Sequence, residues 1–494
     1  MQKSGSRVTP SEIMEYNGFY FEREIRDPIY GYIYVTKIEN DIIDTDEFQR
    51  LDRIYQTPSA HYVYPDATHT RKAHSLGVMH LAHRSLFNIL YRQCPEIKER
   101  IHPLLSEPSI FKETYEITKL DQEDYNAWWN SKSYIELLQI IRIAGLLHDI
   151  GHGPFSHIFE SVCKSLHEKD KCDEFTHEDM SIRIIQERLS DKISNPLSCD
   201  DIIMLLSKSD KPPEELIFLK SLIDGPYDID KLDYLSRDSY HSGAHEYGGI
   251  DYERIIKGFR VKDGRLLISR SSLGCVMDCF TAAQYMYTNV YYHKTSRIFD
   301  FMIFDALAMV PSFLQNLIED LDYFLLVDDH NIILELKNKQ HLNDVDNDYT
   351  GSYNLLKDVL NRKKRYKTIY EKMLTLSVVS EQEKQLTGLR ESLETEFDDL
   401  HAKVDVTTQV KPIRVNPIEL ELWLRNPVIL DTDGSTKPLK EISWAYFSSL
   451  TKLQVLFRVL IDTSIIDDPR ETELKEEAKK RINVIEERES MARA

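Results

Sequence analysis

Positive charge is in short supply. The 494-residue chain has 62 Lys and Arg against 82 Asp and Glu, a formal charge of −20. That balance excludes a protein whose main work is non-specific nucleic-acid binding, because phosphate affinity comes largely from cationic surface. Cysteine is sparse as well. Six scattered residues (Cys94, Cys163, Cys172, Cys199, Cys275, Cys279) with no CxxC pair exclude a disulfide scaffold and fit reduced thiols in the cytoplasm. No apolar run reaches about 18 residues, and Met1 to Tyr20 lacks a signal-peptide core, so neither a membrane span nor a secretory leader is expected. Internal repeats and low-complexity tracts are also missing.

What is there is mostly helical period. Residues 1–20 read as a loose lead, followed by two short extended pieces (Phe19 to Ile25, Tyr32 to Thr36) around the turn Arg26-Asp-Pro-Ile-Tyr-Gly31. Asp44-Thr-Asp-Glu-Phe48 is a capped helix start, His61 to Arg71 a loop, and His74 opens a long helix to about Tyr91. Residues 103–130 are irregular. Helices are then expected at 134–150, 155–168, 178–190, 199–208, 213–224, 228–240 and 251–258, then a hairpin over Phe259 to Ser269 turning at Asp263-Gly264. A helical span follows from Leu273, broken near Pro311. Beyond it lie short helices to about 360, a charged helical pattern over 361–404, strands at Val404 to Val410, Ile413 to Val415 and Leu453 to Ile461, and a charged helix over 469–490. The expected fold is mainly α: a lead (1–20), a helical core (21–320) and a mixed α/β lobe (321–494).

Histidine is unevenly spread. Twelve of 17 lie between His61 and His241, little more than a third of the chain, and imidazole suits both metal ligation and proton transfer near neutral pH. Within that span the apolar run Ile140 to Leu147, broken only by Arg142, delivers His148-Asp149 into Gly151, Gly153 and Pro154. A buried helix that stops where its polar residues begin presents them at a pocket floor. Imidazole beside carboxylate suits Mn, Fe or Zn better than an all-oxygen Mg or Ca cage.

Further pieces align with that pair: Asp27-Pro-Ile-Tyr-Gly31, Phe48-Gln-Arg-Leu51, His74-Ser-Leu-Gly-Val78, His148 through His157 (HDIGHGPFSH) and Asp230-Lys-Leu-Asp-Tyr-Leu-Ser-Arg-Asp238. In this order they resemble the HD-domain phosphohydrolases. More narrowly, they resemble the deoxynucleoside triphosphate triphosphohydrolase branch that contains the sterile-alpha-motif HD protein and its bacterial relatives. The resemblance covers roughly residues 20–300, with no room for a sterile-alpha-motif domain before residue 20. It implies one divalent transition metal (Mn, Fe or Zn) held by His74, His148, Asp149 and Asp230, with an additional Mg carried by the triphosphate. It also implies cleavage of dNTP to deoxynucleoside and tripolyphosphate. Arg71 and Lys231 would grip phosphates, His152 and His177 would position the α-phosphate, and His157 would act as general acid. Tyr234 would stack under the sugar while Asp238 and Gln56 read its 3′-hydroxyl.

The chain also departs from that pattern. Thr57 stands where an apolar residue usually excludes a 2′-hydroxyl, which leaves ribonucleotides open as substrates. The family's further phosphate-binding arginine aligns with Ala283, with Lys294 or Arg297 as substitutes. Asp44, Gln49 and Arg254 match positions that bind effector nucleotides between subunits in animal members, but Asp52 replaces a basic residue there. A homo-oligomer, dimer or tetramer, is expected, with a nucleotide effector as a weaker expectation. The run Arg362-Lys-Lys-Arg365 reads as a solvated helix face rather than a nucleic-acid site. Two rival readings keep the pocket and change what it does. One is a phosphohydrolase or phosphodiesterase acting on ribonucleotides or nucleic-acid ends, and the other is a non-catalytic nucleotide sensor.

Overall fold

The computed structural model describes residues 15–16, 19–93, 134–193, 197–208, 217–225, 227–262, 264–342, 347–377, 402–408, 427–429, 436–438, 452–465 and 468–491. The irregular stretch expected at 103–130 and the strand expected at Ile413 to Val415 lie outside these residues, as does most of the lead. Within the lead, β1 (Glu15–Tyr16) already pairs antiparallel with β2 (Phe19–Asp27), which pairs in turn with β3 (Gly31–Thr36).

Two short helices follow, α1 (Lys37–Ile43) and α2 (Asp46–Gln49), capped by the side chains of Thr36 and Thr45. Helix α1 has no counterpart among the expected elements. Its buried Glu39 closes a capping box with Thr36 and takes Arg142 Nε at 2.6 Å, so a polar sequence is held in the interior by pairing. The central rod is α3 (Arg71–Gln93), which begins three residues before His74 and buries most of its circumference, including Val78, Met79, Leu81, Leu86 and Leu90. A helix buried on most sides is surrounded by other elements. It packs against α4 (Tyr134–Leu147) and, on another side, the later helix α9.

Then come α5 (His157–His167), α6 (His177–Arg188), α7 (Cys199–Leu206), α8 (Ile217–Ile223), α9 (Ile229–Ser242) and α10 (Tyr252–Gly258). The expected hairpin is β4 (Phe259–Lys262) with β5 (Arg265–Ile268). The span after it breaks twice. Helix α11 (Leu273–Met286) ends in a π-turn, Tyr287–Tyr291; α12 (Lys294–Ala308) then meets α13 (Pro311–Glu319) at an 82° bend. Among the described residues no single helix is long and apolar enough to cross a membrane.

Helices α14 (Leu321–Leu326), α15 (Ile332–Lys339) and α16 (Tyr349–Leu360) join the same apolar core through Phe324, Leu336 and Leu355. The charged pattern after residue 361 is not helical where it is described. Tyr366–Ser377 is strand β6, antiparallel to β10 (Lys452–Asp462), whose other edge pairs with β7 (Ala402–Thr408). Tyr366, Thr368, Ile369 and Tyr370 are strand formers, and the buried Val459 and Leu460 of β10 offer an apolar partner. Long-range pairing thus overrides the local charge pattern. A small ribbon, β8 (Pro427–Ile429) with β9 (Thr436–Pro438), precedes β10, and α17 (Asp468–Met491) is the expected charged helix. The protein is mainly helical with small antiparallel sheets.

Candidate active site

Three segments meet at one corner. His74 comes from the first turn of α3, His148-Asp149 from the turn that ends α4, and Asp230 from the first turn of α9, which Asp228 caps by accepting the Lys231 amide at 2.7 Å. The α4 turn can reach the corner because Gly151 lacks a side chain: a Cβ there would stand 2.2 Å from the His177 carbonyl and 2.3 Å from the Ser181 amide. His74 Nε2 lies 3.0 Å from Asp230 and 3.7 Å from Asp149, while His148 Nε2 lies 3.4 Å from Asp149 and 4.0 Å from Asp230. These are the spacings of groups that can turn their lone pairs to one centre.

Each imidazole is oriented from behind. His148 donates Nδ1–H to the Gly145 carbonyl at 2.8 Å, and His74 Nδ1 meets Asp233 at 2.8 Å. His148 Nε2 is buried without a hydrogen-bond partner. A buried acceptor with nothing to accept from is costly, and a cation beside it removes that cost. Two imidazoles and two carboxylates also match a divalent ion once His74 gives up its proton to it, so this donor set fits a metal. Burial opposes ionisation of Asp149 and Asp230, yet Arg71 holds the Asp149 carboxyl well below its usual range, and the His74 hydrogen bond draws Asp230 down to about 2. Against its own burial, His74 is pushed up to about 10 by Asp230 and Asp233.

The corner opens into a cavity of about 1020 Å³. All the expected metal, catalytic and substrate residues line it except His74, which enters the corner from the buried side. His152 and His177 stack face to face, ring centroids 4.0 Å apart and planes 12° from parallel; His157 stands edge-on to both. His152 is buried with neither ring nitrogen hydrogen-bonded and lies 3.3 Å from Asp149. Burial and the nearby Arg71 hold it well below its ordinary value, as a neutral ring. His157 is half exposed at the mouth.

Arg71 and Lys231 are already paired. Arg71 donates to Asp149 and, at 2.8 Å, to Ser156 Oγ; Lys231 Nζ donates to Asp228 and to the Gly225 carbonyl at 2.8 Å. Asp238 likewise has both oxygens engaged, by His69 Nε2 and by the Tyr291 hydroxyl, each at 2.6 Å. A sugar hydroxyl at Asp238 therefore has to share or displace one of these. Tyr234 is half-buried on the cavity wall beside Tyr291. Of the two substitutes for the missing arginine, Arg297 lines the cavity and Lys294 does not. The three positions matched to an effector site do not line it either: Asp44 pairs with Arg23 at 3.3 Å, Gln49 is held by Lys72, and Arg254 leans on the Ser271 carbonyl.

Several working residues carried no local signal. Asp233 sits inside one of the aligned motifs with nothing in its flanks to mark a role. Glu160 follows His157 by one helical turn, and its Oε2 takes His177 Nδ1 at 3.1 Å and His157 Nδ1 at 3.4 Å. Although burial pushes it up, these imidazoles hold the Glu160 carboxyl far below its usual range. Val404 and Asp405 of β7 close the far wall, with Arg297 donating to Asp405 at 3.0 Å; nothing in a strand 108 residues further on marks it as pocket wall.

Two histidines and two carboxylates gathered from three segments of a helical fold at the floor of a polar cavity form an arrangement suited to a divalent metal. Comparison with known proteins agrees. Residues 114–224 match the HD domain and residues 250–384 the HD associated region. The chain thus carries an HD domain followed by an HD associated region. It is 31% identical over 322 residues to the deoxynucleoside triphosphate triphosphohydrolase SAMHD1 homolog of Dictyostelium discoideum, covering 64% of this chain and 55% of that protein. It is 30% identical over 281 residues to the uncharacterized protein YwfO of Bacillus subtilis, covering 56% and 53%. The matches thus span little more than half the length of these curated relatives. A hypothetical protein from Aquifex aeolicus shares the fold, with a TM-score of 0.62 at 24% identity over 90% of this chain and 97% of that one.

Proposed function

We propose that the protein is a dNTP triphosphohydrolase, cleaving the bond between the α-phosphorus and the 5′-oxygen to give a deoxynucleoside and tripolyphosphate. The observation that carries this reading is the meeting of His74, His148 and Asp230, with Asp149 beside them, at the edge of a cavity that a three-histidine cluster also lines. Phosphate transfer needs a charge-neutralising floor, and ester cleavage needs a proton donor beside it.

His74, His148, Asp149 and Asp230 would hold one Mn, Fe or Zn ion, which when bound supplies positive charge to a phosphate oxygen and lowers the pKa of a bound water. Lys231 and Arg71 provide cations within reach of the tail, and the buried neutral His152 gives a fixed dipole beside them. His157, at the mouth and backed by Glu160, is placed to give a proton to the departing 5′-oxygen; His177 shares that carboxylate and orients the pair. Gln56, Thr57, Tyr234 and Asp238 form the sugar side. Relatives named for this activity at about 30% identity support the substrate class. An additional Mg would travel with the triphosphate. We further propose a homo-oligomer, with Asp44, Gln49 and Arg254 as candidate effector contacts, acting in the cytoplasm.

The polar Thr57 favours a second reading in which ribonucleotides are also accepted. Incubating the purified protein with Mn and a panel of dNTPs, NTPs and short oligonucleotides separates the outcomes by product. Tripolyphosphate with deoxynucleoside supports the proposal; inorganic phosphate, nucleotide monophosphates or no product overturns it.

A further inference from the structure

The turn that carries the catalytic cluster is bent in an unusual way. Phe155 and Ser156, neither of them glycine, both have positive φ, 60° and 53°, a conformation that L-residues adopt only where the surroundings enforce it. The enforcing group is Asp329, which comes from the loop between α14 and α15. One carboxylate oxygen accepts the Phe155 amide at 2.6 Å and the other accepts the Tyr55 amide at 2.9 Å. Two residues beyond Phe155 is His157; one residue beyond Tyr55 is Gln56. The same two segments are joined again by the Ser156 hydroxyl, which donates to the Tyr55 carbonyl at 3.2 Å. Arg50, fully buried, completes the node by donating to the His152 carbonyl at 2.8 Å and the Val327 carbonyl at 3.0 Å.

We propose that Asp329 is a positioning residue, whose ionised carboxylate ties the turn bearing His157 to the strand of chain bearing Gln56 and Thr57 and thereby sets the distance between acid and sugar. The inference rests on the roles proposed above for those residues. An ionised carboxylate accepts two amides equally well; protonation leaves a hydroxyl oxygen, a weaker acceptor, facing one of the two donors. The charged and titratable groups around it are Arg50, Asp328 (itself paired with Arg53 at 2.6 Å), Tyr55 and Tyr62. Burial outweighs the two amides and Arg50 and pushes the Asp329 carboxyl up to about 7, so the clamp engages within the neutral range.

The test is D329N, which keeps shape but offers only one acceptor. With metal content and melting temperature close to wild type, kcat should fall about tenfold or more while KM stays within about twofold, because misplacing a reacting group by a fraction of an ångström is felt in the chemical step. Wild-type kcat should fall off below about pH 7 as Asp329 protonates, and the variant should lack that acid limb. Unchanged kcat, or kcat lost together with metal and fold, overturns the inference. A second measurement needs no substrate. In D329N, amide exchange of the peptides holding Tyr55 and Phe155, corrected for intrinsic rate, should be faster than in wild type at pH 8 while α4 peptides exchange alike; equal behaviour overturns it. If the wild-type chain releases no tripolyphosphate, the proposed function falls and the exchange experiment still decides the role of Asp329.

Discussion

Asp233 meets His74 Nδ1 at 2.8 Å and, through its other oxygen, the Tyr30 hydroxyl at 2.8 Å. The carboxylate is fully buried and also held by Arg237, so it leaves His74 one direction in which to present Nε2. Partners behind a ligand of this kind typically control affinity about 10–100-fold. D233N should therefore weaken Mn or Zn binding by about that factor, read by metal titration, with the helical circular dichroism retained. Gly77 gives an independent route to the same state, since a Cβ there would stand 1.8 Å from Asp233 Oδ1. G77A should reproduce the affinity loss, and normal affinity in both variants would remove Asp233 from the site.

Replacing both His148 and Asp149 by alanine should abolish metal binding and turnover while leaving the α3/α4 packing, which rests on Met79, Leu81, Ile141 and Leu146, in place. Metal analysis and melting temperature check the two halves of that statement. Turnover by a metal-free double variant would refute the corner as the engine.

Proton donation by His157 predicts a rescue. H157A and E160Q should keep their metal and lose about 10²–10⁴-fold and a smaller factor, respectively, in kcat on dNTP, the range of general acid catalysis. On a substrate whose leaving group is p-nitrophenolate, which needs no proton, H157A should approach wild type. Equal loss on both substrates would give His157 a different role.

Asp329 makes a prediction about stability alone. Its carboxyl is raised from an ordinary 3.8 to about 7, so folding favours the protonated form. The contribution is fully present below about pH 4 and is lost as pH rises through about 7. Relative to D329N, wild type should lose on the order of a few kcal/mol between about pH 5 and pH 8, measured by urea unfolding. A constant difference would show that the group does not titrate there. The ionised form the clamp needs is the less stable one, a trade often seen where a fold holds reacting groups in place.

Oligomeric state and effector use are tested together by gel filtration with and without dGTP. An unchanged monomer, with activity linear in enzyme concentration, would remove both proposals.

Much of this was written locally. The run from Ile140 to Leu147 announces a buried helix, and Gly151 with Pro154 announces its end, because apolar period and backbone freedom are properties of adjacent residues. The order His74, His148-Asp149, Asp230 names the corner for the same reason: each ligand sits at a helix end its own flanks define. Asp329 and Asp405 read only as acidic residues, one in a turn and one in a strand, and β6 reads as helix. Their places depend on partners from roughly 50 to 270 residues away in sequence, Phe155, Tyr55, Arg297 and β10, and desolvation and long-range pairing have no signature in a local window. The chain by itself determined most of the core helices and which of their ends carry the candidate ligands. Only tertiary packing decided which carboxylates stand behind the histidines, because burial turns an ordinary Asp into one that must find partners.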